Sequence, residues 1–161
     1  MIEILSAEDG KLCRQEEITP GCWVRLILPT DAELDFVCRR LNLETSDLTV
    51  LLDEEELPRL EKAADYTLVL VDTPYKNDEG DITSYQTIPA GFVLLRDCIV
   101  TISLRKNPIL DGFAEGKYRG FSPAAATGRP LILRICLGRP AGVGLRRFGG
   151  GFIGATADPY Q

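Results

Sequence analysis

The sequence contains no histidine, and it has only one methionine and one tryptophan. The absence of histidine removes the commonest general base, the Ser-His and Cys-His nucleophile pairs, and every zinc site that needs imidazole. A metal ion would therefore have to be bound by carboxylates, backbone carbonyls and water. These oxygen ligands are the ones that Mg²⁺ and Ca²⁺ prefer.

Targeting, membrane-spanning and disulfide signals are also missing. The first residues, Met1–Ser6, do not show the basic and then apolar pattern of a signal peptide. No window approaches 18 uninterrupted apolar residues, so we expect no membrane-spanning helix in this chain. The five cysteines are odd in number and form no C-x-x-C pair, which predicts buried, reduced thiols: Cys13, Cys22, Cys38, Cys98 and Cys136.

The chain lacks the basic charge that nucleic-acid binding requires, because its net charge is −6. The charge is unevenly spread: residues 1–120 carry 13 Lys and Arg against 23 Asp and Glu, whereas residues 121–161 carry 5 Arg against 1 Asp. The Gly- and Arg-containing tail raises the alternative of RNA binding, but it has few arginines and no RGG repeats. We therefore expect no nucleic-acid partner.

A length of 161 residues suits one domain with a real core. Two helices are predicted with their caps. Thr30 and Glu33 form a capping box for a helix that runs to about Leu41, with Asn42 as its terminator. Asn107 followed by Pro108 begins another helix, which would bury Ile109, Leu110 and Phe113.

Strands are predicted before and between these helices. The apolar runs at 2–5, 22–28, 66–71, 82–95 and 98–104 favour strands, with polar turns at 8–11, 77–80 and 96–97. The last three strands predict an antiparallel meander. The separation of strand and helix runs indicates an α+β fold, a mostly antiparallel or mixed sheet with helices packed on it.

Four consecutive carboxylates, Asp53–Glu56, follow a short helix that Thr45 or Ser46 is predicted to cap and whose apolar face is Leu48, Leu51 and Leu52. We call Asp53–Glu56 the acidic elbow. It lies at the helix end where the macrodipole disfavours negative charge. Residues that are unfavourable for the local structure are often found at functional sites. The alternative is a solvated acidic surface paired with Arg59 and Lys62.

Several segments in order resemble the N-terminal cytoplasmic domain of CorA-like magnesium transporters, over roughly residues 1–120. They are Gly21–Thr30, Leu51–Glu56, Arg59–Glu61, Asp65–Asp72, Thr87–Gly91 and Lys106–Leu110. The resemblance implies a regulatory domain at the cytoplasmic face of the membrane, in homopentamers whose neighbouring subunits bind divalent ions between them. It implies a Mg²⁺ site, with Co²⁺ or another divalent ion as an alternative, and weak binding.

The metal ligands predicted on this basis are Asp53, Glu55 and Glu56. The position that aligns with the family's sensing aspartate is Val50, which cannot bind a metal, and the second carboxylate should come from a stalk helix that this chain lacks. We therefore predict half of a site. The same absence of stalk, membrane helices and Gly-Met-Asn motif implies that the chain does not conduct ions.

Three segments are predicted: a CorA-like domain at 1–121, a disrupted start of a second helical pair at 122–137, and a disordered or frameshifted tail at 138–161. Gly128, Pro130, Gly138 and Pro140 interrupt helical periodicity there. Truncation or a frameshift near residue 135 would account for this break. The isolated chain is then expected to be a soluble cytoplasmic monomer or weak oligomer.

Two other functions are compatible with the sequence. One is a stand-alone interaction module that has lost transport. The other is a metal-dependent hydrolase using Asp53 with Glu55 or Glu56, which we disfavour because there is no glycine-rich phosphate loop or nucleophile motif. The sequence therefore predicts a protein that is not an enzyme.

Overall fold

A computed structural model describes residues 1–9, 11–79, 82–117, 123, 143–146 and 154–157. Its main feature is a mixed seven-stranded sheet in the order β2-β1-β3-β7-β6-β5-β4. The strands are β1 (Ile2–Glu8), β2 (Lys11–Gln15), β3 (Trp23–Ile27), β4 (Arg59–Lys62), β5 (Thr67–Glu79), β6 (Ile82–Leu94) and β7 (Ile99–Ser103). The helices are α1 (Asp31–Leu41), α2 (Thr45–Val50) and α3 (Pro108–Ala114). The predicted α+β architecture is confirmed.

The central pair of strands joins the two parts of the sheet. Strand β3 pairs with β7 in parallel, with Trp23 opposite Ile99, whereas the other pairings in this sheet are antiparallel. The predicted β5-β6-β7 meander is therefore present. Since β3 and β7 are far apart in sequence, this pairing holds the N-terminal strands against the meander.

Helix α1 forms as its sequence predicts. The Thr30 hydroxyl accepts a hydrogen bond from the Glu33 N–H, and the Glu33 carboxylate accepts one from the Thr30 N–H. Asn42 ends the helix in the left-handed region, at φ 53°. This conformation is one that asparagine tolerates better than most side chains.

Helix α2 differs from the prediction at its N-terminus. The N-cap is Glu44, which makes no side-chain capping bond, so the prediction of Thr45 or Ser46 as the cap was wrong. Leu43 is buried only two residues after the end of α1, and its N–H donates to the Cys38 carbonyl. Glu44 follows it as the N-cap, and α2 begins at Thr45. A six-residue helix has little intrinsic stability, so its packing through the fully buried Leu48 holds it in place.

The two faces of the sheet carry separate cores. One core lies beneath α1 and α2, and its buried members include Val24, Leu34, Val37, Leu48 and Ile102. The other contains Trp23, Val69, Phe92, Ile109 and Phe113, the last two from α3. Successive residues of β3, Trp23 and Val24, alternate between the two cores as the pleat of a strand requires.

Three strand predictions needed correction. The strands β2 and β4 were not anticipated, because both are edge strands rich in charge. Lys11–Gln15 is half-exposed, and Arg59–Lys62 is mostly exposed. Asn77–Glu79 was predicted as loop, but it belongs to β5 and pairs with Ile82–Ser84. Cross-strand pairing over 13 residues outweighs the low strand preference of this polar segment.

The C-terminal predictions fall largely outside the described residues. Of the segment 122–137, only residue 123 is described. Within 138–161, β8 (Val143–Arg146) and β9 (Gly154–Ala157) pair antiparallel, although disorder was predicted there. The three-segment division itself stays a prediction.

Candidate functional site

The acidic elbow is held by a buried leucine on one side and a strand on the other. Leu51, the C-cap of α2, is 3 % exposed and lies directly before Leu52 and the elbow. Its partner is Gly91 on β6, where a Cβ atom would lie 2.7 Å from the Leu51 Cβ. The glycine therefore allows α2 to approach the sheet closely and fixes where the elbow begins.

The elbow folds as a turn of hydrogen bonds. The Asp53 N–H donates to the Val50 carbonyl over 3.2 Å, and the Asp53 carboxylate accepts from the Glu55 N–H over 2.9 Å. Asp53, Glu54 and Glu55 are exposed, and Glu56 is half-buried. The four carboxylates therefore follow the C-terminal end of α2, where the helix macrodipole does not stabilise negative charge.

Basic side chains engage two of these four carboxylates. Arg59 donates to Glu56 and, over 2.6 Å, to Glu61, and these two hydrogen bonds raise the pKa of Arg59. Arg105 lies 3.6 Å from Glu54. The predicted pairing of the elbow with Arg59 is therefore observed, although it involves Glu56 alone among the elbow residues.

Asp53 and Glu55 form no ion pair within the part of the chain that the structure describes. Of the predicted ligands Asp53, Glu55 and Glu56, only Glu56 is in an ion pair with Arg59. Hard oxygen donors suit Mg²⁺, but the described residues contain no group of three or more Cys, Asp or Glu side chains that could hold a metal ion. The donor chemistry fits the predicted half-site, and a complete site needs further ligands.

A small cavity of about 40 Å³ lies beside the elbow, between α2, β4 and β5. It is lined by Asp47, Val50, Leu51, Arg59, Glu61, Leu68 and Leu70. On the other side of Asp47, the Tyr66 hydroxyl donates to its carboxylate over 2.7 Å, and burial, together with this bond, raises the pKa of Tyr66. Val50 is half-buried here, so this position offers methyl groups where the family resemblance implies a carboxylate.

A second polar centre, which the sequence reading missed, lies on the opposite face of the sheet. Arg25, 5 % exposed, donates to Glu3 over 2.7 Å and to Asp111 on α3. Its guanidinium carbon lies 5.3 Å from the centroid of the Trp23 ring. The available signal was a single arginine inside the apolar run 22–28, which requires a buried partner.

No helix in residues 1–9, 11–79 and 82–117 or the other described positions is long and apolar enough to cross a membrane.

Comparison with family models and curated proteins gives consistent results. Residues 20–125 match the family model described as CorA-like Mg²⁺ transporter protein. Over 80 residues the chain is 32 % identical to the cobalt/magnesium transport protein CorA of Methanocaldococcus jannaschii. That alignment covers 50 % of this chain and 24 % of the transporter, so the chain spans only a fraction of its relative.

Solved structures show the same fold. The complete CorA magnesium transporter of M. jannaschii matches with a TM-score of 0.63 at 22 % identity, covering 86 % of this chain and 43 % of that chain. The cytoplasmic domain of ZntB from Vibrio parahaemolyticus matches with a TM-score of 0.64 at 11 % identity, covering 84 % of this chain and 56 % of that chain. At these identities the likeness establishes the fold.

Proposed function

The chain belongs to the CorA-like Mg²⁺ transporter family, and on that basis we propose that it is a regulatory domain that senses Mg²⁺ for such a transporter. In this proposal it acts at the cytoplasmic face of the membrane and next to other copies of itself. The residues that would sense the ion are Asp53 and Glu55, joined by Glu56 when Arg59 releases it. Residues of a neighbouring subunit or of a further segment would complete the site.

The observation that carries the proposal is the exposed pair Asp53 and Glu55 at the end of α2, which forms no ion pair with any side chain that the structure describes. Two carboxylates about 4 Å apart repel by roughly 4 kcal/mol at an effective dielectric of 20. Acidic surfaces on adjacent subunits would therefore separate unless a divalent cation lies between them. Binding of the ion to the closed arrangement would shift the population toward it by the difference in affinity.

The available donors also set the expected strength of binding. Mg²⁺ keeps several of its waters and needs only one or two carboxylates from a protein. The elbow can supply two without breaking an ion pair, whereas recruiting Glu56 would require giving up the hydrogen bond from Arg59. We therefore expect weak binding by one copy and tighter binding when copies meet.

Calorimetric titration with Mg²⁺ tests the proposal. The double variant Asp53→Ala, Glu55→Ala should lose the binding heat of the unmodified chain. The matched control is Glu16→Ala, Glu17→Ala, which removes the same charge from two exposed neighbours far along the chain. If the elbow variant titrates like the unmodified chain, or if both variants lose binding equally, the acidic elbow is only a charged surface.

Light scattering tests the second part of the proposal. The average mass should rise when Mg²⁺ is added, and the elbow variant should not respond. NaCl at equal ionic strength is the control, because simple screening would also reduce repulsion between acidic surfaces. An equal increase in mass with NaCl would argue against a specific ion between subunits.

A further inference from the structure

Two buried cysteines lie opposite each other where the parallel strands β3 and β7 begin. The register places Trp23 opposite Ile99, and extending it by one residue places Cys22 opposite Cys98. The Ile99 N–H donates to the Cys22 carbonyl over 3.2 Å, and the Gly21 N–H donates to the Asp97 carbonyl. The strand-like pairing therefore continues through both cysteines.

The two side chains also point to the same face of the sheet. Cys22 and Cys98 both belong to the core beneath α1 and α2, whereas their neighbours Trp23 and Ile99 belong to the other core. Neighbouring strands lie about 4.8 Å apart. This separation falls within the Cα–Cα range of roughly 4.4–6.8 Å that a disulfide can bridge.

The neighbouring thiols also affect each other's protonation. Interaction with the Cys98 side chain lowers the pKa of Cys22 to about 7, and interaction with Cys22 raises the pKa of Cys98. Burial raises the pKa of both thiols, but for Cys22 the interaction with Cys98 outweighs burial. A thiol with a pKa near 7 is partly a nucleophilic thiolate at neutral pH.

We propose that Cys22 and Cys98 are an oxidisable dithiol that closes to a disulfide across the β3–β7 junction when a peroxide reaches it. The Cys22 thiolate attacks one oxygen of hydrogen peroxide, forming a sulfenic acid and, after protonation, releasing water. The Cys98 thiol then attacks the Cys22 sulfur, loses its proton and displaces a second water. Two thiols and one peroxide thus give one disulfide and two waters.

Access to the pair follows from its position at the ends of strands. Cys22 and Cys98 are 0 % and 5 % exposed. However, Arg96 and Asp97 form an exposed turn directly before Cys98, and Gly21, at φ 84°, ends the turn before Cys22. Local opening of these two turns would expose this end of the core, and a small uncharged oxidant suits such an opening.

The disulfide would lock the junction that joins the N-terminal strands to the meander. It would close a long loop, so it should stabilise the fold mainly by restricting the unfolded chain. The other cysteines in the described residues have no such partner: Cys13 is half-buried on β2, and Cys38 lies on α1. The oxidation should therefore be selective.

The test uses the full chain with Cys13, Cys38 and Cys136 changed to serine, so that only the pair remains. After hydrogen peroxide at pH 7.4, unfolding and alkylation, the intact mass should be about 2 Da below that of the reduced chain, with no alkyl group added. Dithiothreitol should restore two alkylatable thiols. The melting temperature of the oxidised form should rise by roughly 5 °C.

The control adds Cys98→Ser, which leaves Cys22 to give a sulfenic acid or its adducts instead of the loss of 2 Da. The unmodified chain is also oxidised and mapped by peptide mass, so that the result does not depend on whether the variants fold. This mapping should recover a peptide in which Cys22 is linked to Cys98. Two fully alkylated thiols after peroxide treatment would overturn the proposal. A linked peptide that joins either cysteine to Cys13, Cys38 or a second chain would overturn it equally.

Discussion

At the scale of single residues, Asn107 is a buried polar side chain that both caps a helix and bonds to the sheet. It is 1 % exposed, and its side-chain oxygen accepts from the N–H groups of Ile109 and Leu110 over 3.0 and 3.3 Å. Its amide nitrogen donates to the Thr73 hydroxyl over 2.7 Å, and that hydroxyl donates to the Ile88 carbonyl. One side chain thus caps α3 and joins it to β5 and β6.

Replacing Asn107 by alanine should destabilise the fold by about 2–4 kcal/mol, since it removes a helix cap and leaves buried partners unsatisfied. Urea unfolding followed by circular dichroism measures this loss. Thr30→Ala is the control, because it removes an exposed cap on α1 and should cost about 1 kcal/mol. Equal losses for the two variants would show that the buried bond to Thr73 contributes nothing.

The sequence identified Asn107 as a cap but not as a link between elements. The Asn-Pro pair predicts a helix start through local chemistry alone. The bond to Thr73 joins residues 34 positions apart, and only the folded sheet brings them together. The same distinction applies to Asp53 and Glu55: among the described residues they form no ion pair, because Arg59 and Arg105 lie against Glu56 and Glu54.

At the scale of elements, the approach of α2 to β6 determines where the acidic elbow is presented. The missing side chain at Gly91 leaves room for Leu51, with the Leu51 Cβ, Cγ and Cδ1 atoms 2.7 to 3.0 Å from where a Cβ would be. The Leu51 Cβ cannot move without its backbone. Any side chain on Gly91 must therefore push α2 and the elbow away from the sheet.

Gly91→Ala should accordingly cost about 1–3 kcal/mol through overpacking. In a Leu51→Ala background the same change should cost less, since two of the three closest atoms are then gone. A double-mutant cycle from urea unfolding of the four proteins measures this coupling. Strict additivity of the two changes would contradict the predicted contact.

Elements with local signals were predicted well, and those without them were missed. The capping box of α1 and the Asn-Pro start of α3 are encoded within a few residues, and both helices were found. The edge strands β2 and β4 have no comparable signal. They exist because β1 and β5 offer an edge to pair with, which is a property of the sheet.

At the scale of the whole molecule, the ion triad of Arg25, Glu3 and Asp111 ties β3, β1 and α3 together. The side chains of Arg25 and Glu3 are 6 % and 8 % exposed, so water screens their attraction little. Removing one member of such a buried group leaves the other charge uncompensated, which is more costly than losing a surface pair.

Arg25→Met should therefore destabilise the fold by about 3–5 kcal/mol. Arg39→Met is the control, because its side chain is 82 % exposed and its pairing with Asp35 spans one helical turn, so it should cost less than about 1 kcal/mol. Adding Glu3→Leu to Arg25→Met should recover part of the stability, since the more buried of the two carboxylates is then gone, and Asp111, whose side chain is 28 % exposed, keeps contact with water. Guanidinium chloride unfolding of the unmodified chain, the two single variants and the double variant measures these losses. If the double variant is no more stable than Arg25→Met, the buried charge on Glu3 is not the cause of the loss.

The sequence by itself determined the fold class, two helix starts, the meander and the family resemblance, because caps, turns and alternating apolar residues act over short distances. It also determined the donor chemistry of the acidic elbow, since four consecutive carboxylates offer only oxygen ligands. Only the tertiary structure decided that Arg59 pairs with Glu56, that Arg25 is buried between two carboxylates, and that Cys22 lies beside Cys98 on the neighbouring strand. Each of these contacts depends on strand register and close packing, which bring together residues that nothing in the local sequence connects.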